Sequence, residues 1–440
     1  MNPRFPPEIF DLFIGALAAD HQNPTRIASL KSCSLVSKSF SYSARIHIFS
    51  TIVYRGFTLD RVIVPMKMNV LDALRMAIER DSHLAANVRR FEIHLRHKFE
   101  RDSGETIEGI RAARTCLTRI TRALVRAAKQ HPSGSKLDTM QLEASGQHAP
   151  VPDFSQFWRA LGRSYTITTL NLRCIPSFPI HFFIRALPCL QKLEIWRCDL
   201  IWSPELPSLL NSNEQELACP LELYVDISMA LFYQKPEYGI VDNLRRLLSK
   251  LETLQFRSQR SHSMVHANII KLCKSSLRAL TLTADVNFLE NLPVSQLLPT
   301  LNLGTLSDLQ SLSFEIHRCI LHCRSWVKVI SELLIRASTT QIKAISIHIF
   351  PVAASKSYAS EITPREYQED DEAWQMLDAA LVRPEFSALR TVDVRFFWPW
   401  LENEVPPDAF LPWTSFRPTL PLLYATLSES LRIKHCHKSG

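Results

Sequence analysis

"LQKLEIWRC", residues 190–198, places apolar side chains at Leu190, Leu193 and Ile195 and a small one at Cys198. The order is an apolar residue, two spacers, an apolar, one spacer, an apolar. It recurs as "VRRFEI" (from 88), "LDTMQL" (137), "ITTLNL" (167), "PLELYV" (220), "LETLQF" (251) and "LRALTL" (277). Further copies are "LQSLSF" (309), "IKAISI" (342), "LRTVDV" (389) and a degenerate "SESLRI" (428). Most copies lie 23 to 33 residues apart, with longer gaps after 88, 342 and 389. Alternation of apolar and polar residues over so short a run predicts a half-buried strand. Helix-length segments such as "DNLRRLLSKL" and "SWVKVISELLIRA" fill the intervals.

A short strand and a helix at this period resemble the leucine-rich repeat, whose strand reads LxxLxLxx(N/C). Residues 190–198 fit that template in full, and Leu431, Ile433 and Cys436 fit its second half. On this reading Cys198 and Cys436 are small residues that turn the chain off the strand, not redox or metal groups. One such unit cannot bury its apolar edge alone and must share it with neighbours. The expected fold class is therefore α/β: a leucine-rich-repeat-like solenoid with parallel strands and outer helices over residues 53–440. An antiparallel sheet would alternate in the same way but would not account for the helix-length spacers.

With the apolar positions turned inward, alternation leaves one polar or aromatic pair per strand on the other face. Solenoids use such a face to grip other macromolecules. The candidate substrate-binding residues are Arg173, Glu194, Trp196, Asp226, Arg257, Glu315, His348 and Arg395.

The first fifty residues follow a different rule. Ile9, Leu12, Phe13, Ala16 and Leu17 form one helical stripe behind Pro6 and Pro7. Asn23-Pro24 predicts the start of a second helix bearing Ile27, Leu30 and Ser34, and a third is expected from Lys38 to Ile48. Three short helices make a small core, and such a unit commonly keeps apolar residues exposed for a partner. "FPPEIFDLFIGAL…LKSCSLVSKSFSYSARIHIF" resembles an F-box, the helical motif that docks on the Skp-type adaptor of cullin-RING (SCF) ubiquitin ligases. The likeness rests on Pro6, Glu8 and Ile9, the Leu12/Leu17 pair, the block Leu30, Cys33, Ser34, Leu35, Val36, and the His47/Phe49 ending. Phe5, Ser37 and Phe40 stand where leucine, cysteine and tryptophan are usual, and the link between the first two helices is long. The resemblance implies a module over residues 1–52 that binds the adaptor, and through it a cullin, by way of Pro6, Ile9, Leu12, Leu35, Val36 and Phe40. The alternative is a helical cap on a repeat scaffold that has no ubiquitin link.

Composition narrows the remaining classes. The 440 residues are 46% hydrophobic and 21% charged, and the net charge of +8 is mild for the length. Ten glycines, none grouped into a phosphate-cradling loop, weigh against nucleotide-binding enzymes. Ten cysteines scattered singly suit free thiols in a reducing, intracellular compartment, cytoplasm or nucleus. "IFDLFIGALAA" (9–19) has a signal-like end, but Glu8 and Asp11 stand where a signal peptide wants a basic flank and an unbroken apolar run. No apolar stretch approaches the length of a membrane span. Serines and histidines lie in no recognisable nucleophile setting, so neither enzymatic activity nor a cofactor is expected.

Five other segments stand out by composition. "RAARTCLTRITRALVRAAK" (111–129) reads as a solvated outer helix; it lacks the interleaved aromatics expected of a nucleic-acid site. "HRCILHC" (317–323) and "HCH" (435–437) lack the paired spacing of a zinc site. "TPREYQEDDEAW" (363–374) reads as a helix start with Thr363 as cap, Pro364 in the first turn and Glu366 as capping-box acid. "FFWPWLENEVPPDAFLPWTSFRPTLPLLY" (396–424) is either a recognition loop or an extended outer segment whose aromatics pack on the array.

Overall fold

The structure is a computed structural model. It describes residues 7–19, 25–56, 64–96, 104–131, 136–145, 155–161, 166–175, 178–179, 187, 189–196, 198, 200–201, 220–227, 248–258, 269–285, 302–317, 323–338, 340–350, 364–398, 420–427 and 431–437. The chain forms two compact units, Met1–Ala218 and Cys219–Gly440.

The first unit opens with helices α1 (Pro7–Ala19), α2 (Arg26–Ser34) and α3 (Lys38–Ile48), which pack chiefly on one another. Ile14, Leu30 and Ala44, one from each helix, make the buried centre, with Leu17, Cys33, Phe40 and Ile48 around it. The Ser43 hydroxyl donates to the Asp11 carboxylate and ties α3 to α1. The third helix has the expected bounds, and the Ser37 side chain caps it by accepting the Phe40 N–H at 3.3 Å. The second starts at Arg26; the predicted Asn23-Pro24 entrance lies outside the described residues.

Every copy of the strand pattern lands on a strand. In the first unit β1 (Thr51–Gly56), β2 (Arg90–Arg96), β3 (Thr139–Ser145), β4 (Thr169–Arg173) and β6 (Lys192–Trp196) pair in that order, all parallel. A separate two-residue parallel pair, β5 (Phe178–Pro179) with β7 (Leu200–Ile201), follows β4 and β6. In the second unit β8 (Glu222–Ile227), β9 (Thr253–Ser258), β10 (Ala279–Asp285), β11 (Ser311–His317), β12 (Ala344–Phe350), β13 (Thr391–Trp398) and β14 (Leu431–His437) form a second parallel series in chain order. The strand β1 was not among the expected copies. Phe49, Ile52 and Tyr54 carry the same spacing, which is hidden when His47 and Phe49 are read as the end of the helical module.

The inward positions form the core. Phe91, Ile93, Leu142, Leu172, Leu254, Phe256, Leu312, Ile345, Ile347, Val392 and Val394 are all buried. Register is fixed by a repeated backbone device at the second position of most copies. One carbonyl there accepts two N–H groups from the next coil: Ser50 from Arg89 and Arg90, Arg89 from Asp138 and Thr139, Asp138 from Thr168 and Thr169. Leu221, Glu252, Arg278, Gln310 and Lys343 do the same in the second unit. The entry of each such coil is thus hydrogen-bonded at the point where side-chain alternation begins.

The remaining helices are α4 (Val64–Arg80), α5 (Ser82–Ala86), α6 (Gly104–Gln130) and α7 (Ser155–Leu161) in the first unit. The second has α8 (Cys323–Ile335), α9 (Pro364–Leu381) and α10 (Pro421–Leu427). The basic stretch lies in α6 as read: Leu117, Ile120 and Leu124 are buried while Arg119, Arg122, Arg126 and Lys129 are exposed. Arg119 is paired, its Nε 2.8 Å from Glu79 Oε1. The helix expected after Thr363 is α9; Thr363 itself lies outside the described residues.

Two cysteines given the same role behave differently. Cys198 is buried where the chain leaves β6. Its thiol donates to the Trp196 carbonyl at 3.3 Å and accepts the Ile175 N–H at 3.4 Å. The neighbouring coil leaves β4 through Cys174, at φ 54°, whose N–H reaches the Trp196 carbonyl at 2.7 Å. Cys436 instead lies within β14, in register with Phe397, so the turning role expected of it is corrected.

Candidate protein-interaction surfaces

The first surface is on the helical module. Of the stripe expected on α1 only Leu17 packs on the core; Ile9, Leu12, Phe13 and Ala16 are exposed, and the buried residue is Ile14, which lay outside that stripe. The α2–α3 junction leaves Leu35 (87% exposed) and Val36 (69%) in solvent, and Tyr42 (67%) is exposed on α3. Among the described residues, twelve large hydrophobics are exposed, and seven of them fall between Ile9 and Tyr42. A monomer rarely groups apolar side chains this way without a use for them. Of the six candidate adaptor residues, Ile9, Leu12, Leu35 and Val36 are exposed. Phe40 is half-buried against the module core with its ring edge-on to Phe13, centroids 6.2 Å apart. Pro6 lies outside the described residues.

The second surface is the open, polar face of the strands in each unit. In the first unit His94 sits between two carboxylates, Nδ1 2.9 Å from Glu143 and Nε2 3.2 Å from Glu92. Of the candidates on this face, Glu194 accepts from the Asn171 amide and pairs with Lys192 at 2.9 Å. Arg173 donates from Nε to Asn171 at 3.2 Å and holds its guanidinium 5.8 Å from the Trp196 ring centre. Arg173, Glu194 and Trp196 therefore form one contact group across β4 and β6.

In the second unit Glu315 is the hub. Its Oε2 accepts from Thr283 at 2.8 Å and from Gln255 at 3.2 Å, and lies 3.8 Å from His317 Nε2. His317 and then Thr283, both bonded to the carboxylate, hold its pKa below the usual range against the opposing effect of burial. His348 stands beside Glu315 in register, and Arg395 pairs with Asp393 at 2.5 Å on the next strand. Burial lowers the pKa of His348, an effect that Arg395 reinforces and that Glu315 and Asp393 oppose. Asp226 and Arg257 are in register with each other on β8 and β9, while their side chains lie outside what is described.

Both shifts in the second unit point the same way. A group whose folded pKa is depressed stabilises the fold above its unfolded pKa and loses that contribution as pH falls. Thermal stability is therefore expected to fall between pH 7 and 5.5 as His348 is forced to charge, and further below 4.5 as Glu315 takes a proton. The His348 share is at most one proton, about 1.4 kcal/mol per pH unit. His348→Gln should flatten the first part of the curve, measured by melting temperature against pH; an unchanged curve would remove His348 as its source.

Sequence alternation missed part of this face. Side chains placed outward are not all exposed: Gln141, Asn171, Thr283 and Asp393 are buried, because longer neighbours on strands less than 5 Å away cover them. The outward pattern was also ended too early. Strands β11, β12 and β13 run two residues further and bring His317, Phe350 and Phe397 onto the same face. The signal was a fourth apolar residue in each copy: Ile316, Ile349 and Phe396.

Of the segment 396–424, residues 399–419 lie outside the described residues, including Trp400, Phe410, Trp413 and Phe416. So do Cys319 and His322. Among the described residues no group of three metal-ligating side chains is present.

No protein-family model matches the chain, and no curated protein is similar to it in sequence. Among solved structures, the leucine-rich repeat-containing protein LegL7 from Legionella pneumophila is similar over 71% of this chain and 75% of its own, at 13% identity and a TM-score of 0.32. The parallel register and the recurring strand pattern decide the fold. This chain is leucine-rich-repeat-like. No helix among its described residues is long and apolar enough to cross a membrane.

Proposed function

We propose that the protein is the substrate receptor of an SCF-type ubiquitin ligase. The helical module docks on the Skp-type adaptor, and through it on a cullin, while the open strand face of the array holds a protein target. The receptor itself catalyses nothing; by tethering, it raises the concentration of the target's lysines near a recruited conjugating enzyme. The supporting observation is the cluster of exposed apolar side chains around Leu35 and Val36, on helices that already have a core of their own. The free thiols of Cys33, Cys116, Cys189 and Cys273 suit work in a reducing compartment, cytoplasm or nucleus.

The alternative, a capped repeat scaffold without a ubiquitin link, draws support from the direct run of α3 into β1 and the bonds from Arg89 and Arg90 to Ser50. Truncation does not separate the two readings well, because removing residues 1–52 cuts into β1 at Thr51 and Ile52. Point substitutions do. Leu35→Asp with Val36→Asp in the full chain should reduce adaptor recovery in a pull-down at least about thirtyfold, the size of an interface hot spot. Thermal stability should be unchanged, since both side chains are already in water. Equal recovery from wild type and variant would overturn the ligase reading, and a large drop in melting temperature would favour the cap.

A further inference from the structure

On the open face of the second unit the rings of His317, Phe350 and Phe397 form one column. Their centroids are 4.3 and 4.7 Å apart, and their planes 4° and 8° from parallel. Stacked at the spacing of neighbouring strands, the rings cover one another's faces and offer their apolar edges outward. His348 closes one side, its ring edge-on to Phe397 at 5.5 Å. The same face bears short side chains at Thr281, Ser313 and Ser346, in the row on the far side of Glu315 from the rings, which leave room beside the carboxylate.

The charge at this place is one-sided. The Glu315 carboxylate is held by the neutral donors Thr283 and Gln255 and by the His317 ring. Among the described residues no lysine or arginine pairs with it. The guanidinium of Arg395 is occupied by Asp393. An apolar ridge that ends at a carboxylate paired with no lysine or arginine among the described residues suits a long cationic side chain, whose stem packs on rings while its head group meets the acid.

We propose that the ring column and Glu315 form the socket for a lysine or arginine side chain, carried beside an aliphatic or aromatic residue in a segment of the bound protein. This deepens the target-holding role given above to the open face and rests on it. An acidic segment would meet repulsion from Glu315 and gain nothing from the rings.

A displayed library of random dodecapeptides, selected against the full chain, tests the socket without knowledge of the natural target. Selected peptides should be enriched in arginine or lysine next to an apolar residue. A synthetic copy of one should lose about tenfold in affinity on Glu315→Gln, the loss of one partly buried charge pair. Phe350→Ala should weaken it further, whereas Glu194→Gln in the first unit should have no effect. Gln at 315 keeps an acceptor for Thr283, so that variant should stay folded with a modest fall in melting temperature from the lost charge, and the result does not depend on Phe350→Ala folding. Peptides rich in acid, or indifferent to Glu315→Gln, would overturn the socket and leave a target-holding face elsewhere on the array. Failure to enrich any peptide would count against the target-holding reading itself.

Discussion

Phe256→Ala is expected to destabilise the second unit by about 3–5 kcal/mol, the usual loss for a fully buried phenylalanine. Phe256 is 1% exposed and stands in the core row of β9, in register with Val225 on β8 and Leu282 on β10. Its ring fills the layer between coils, so truncation leaves a cavity that neighbouring parallel strands cannot close without breaking register. In a stack where each coil leans on the next, the damage should spread along the ladder. Hydrogen exchange should therefore quicken in β8 and β10 as well as in β9. Loss of protection confined to β9 would mean that the coils are more independent than their shared core implies.

The second large effect concerns a helix capped from a distance. Asp378 lies in α9, buried at 2% exposure, and its two carboxylate oxygens accept the Leu422 and Leu423 N–H groups at 2.8 Å each. These are donors of the first turn of α10, which have no partner within their own helix. A seven-residue helix is marginal alone, and Pro421 at its first position removes one donor but not the next two. Asp378→Ala removes two charge-assisted bonds and leaves two amide donors unsatisfied, a loss of about 2–4 kcal/mol. Asp378→Asn keeps one acceptor oxygen and should cost about half as much. The readout is exchange protection in α10 and in β14, which follows it. Protection unchanged in both would show that Asp378 is not what holds this end of the chain.

The repeat was legible because three apolar side chains at fixed spacing can only be buried together on a strand. Eleven copies were read in that way, and each coincides with a strand. The twelfth, at Phe49, Ile52 and Tyr54, was concealed by a second pattern that used the same phenylalanine. Helix α3 was readable to the residue because Ser37 is a strong N-cap and the stripe behind it is unbroken. The candidate surface was half legible. Alternation names the face of a residue but not its neighbours, so the hub at Glu315 depended on Gln255 and Thr283 from two other coils, 60 and 32 residues away. The ring column needed the strands to continue past the template. Cys436 was misplaced for the same reason: the template turns where β14 runs on. The capping of α10 by Asp378 was invisible, because nothing local distinguishes that aspartate from a solvated one.

The doubly accepting carbonyl at the mouth of most coils has a bearing on how such a chain can change. It fixes where a strand begins without regard to what the polypeptide does beforehand, whether the excursion is brief, as from Thr168 to Gln191, or extended, as from Arg89 to Asp138. Additions and losses of sequence between these anchor points leave alignment intact, while a single residue gained inside a strand would turn every later side chain in it to the wrong face. The scaffold thus tolerates wide variation in its outer connections, and new recognition segments can be grafted there without disturbing the rows that hold it together.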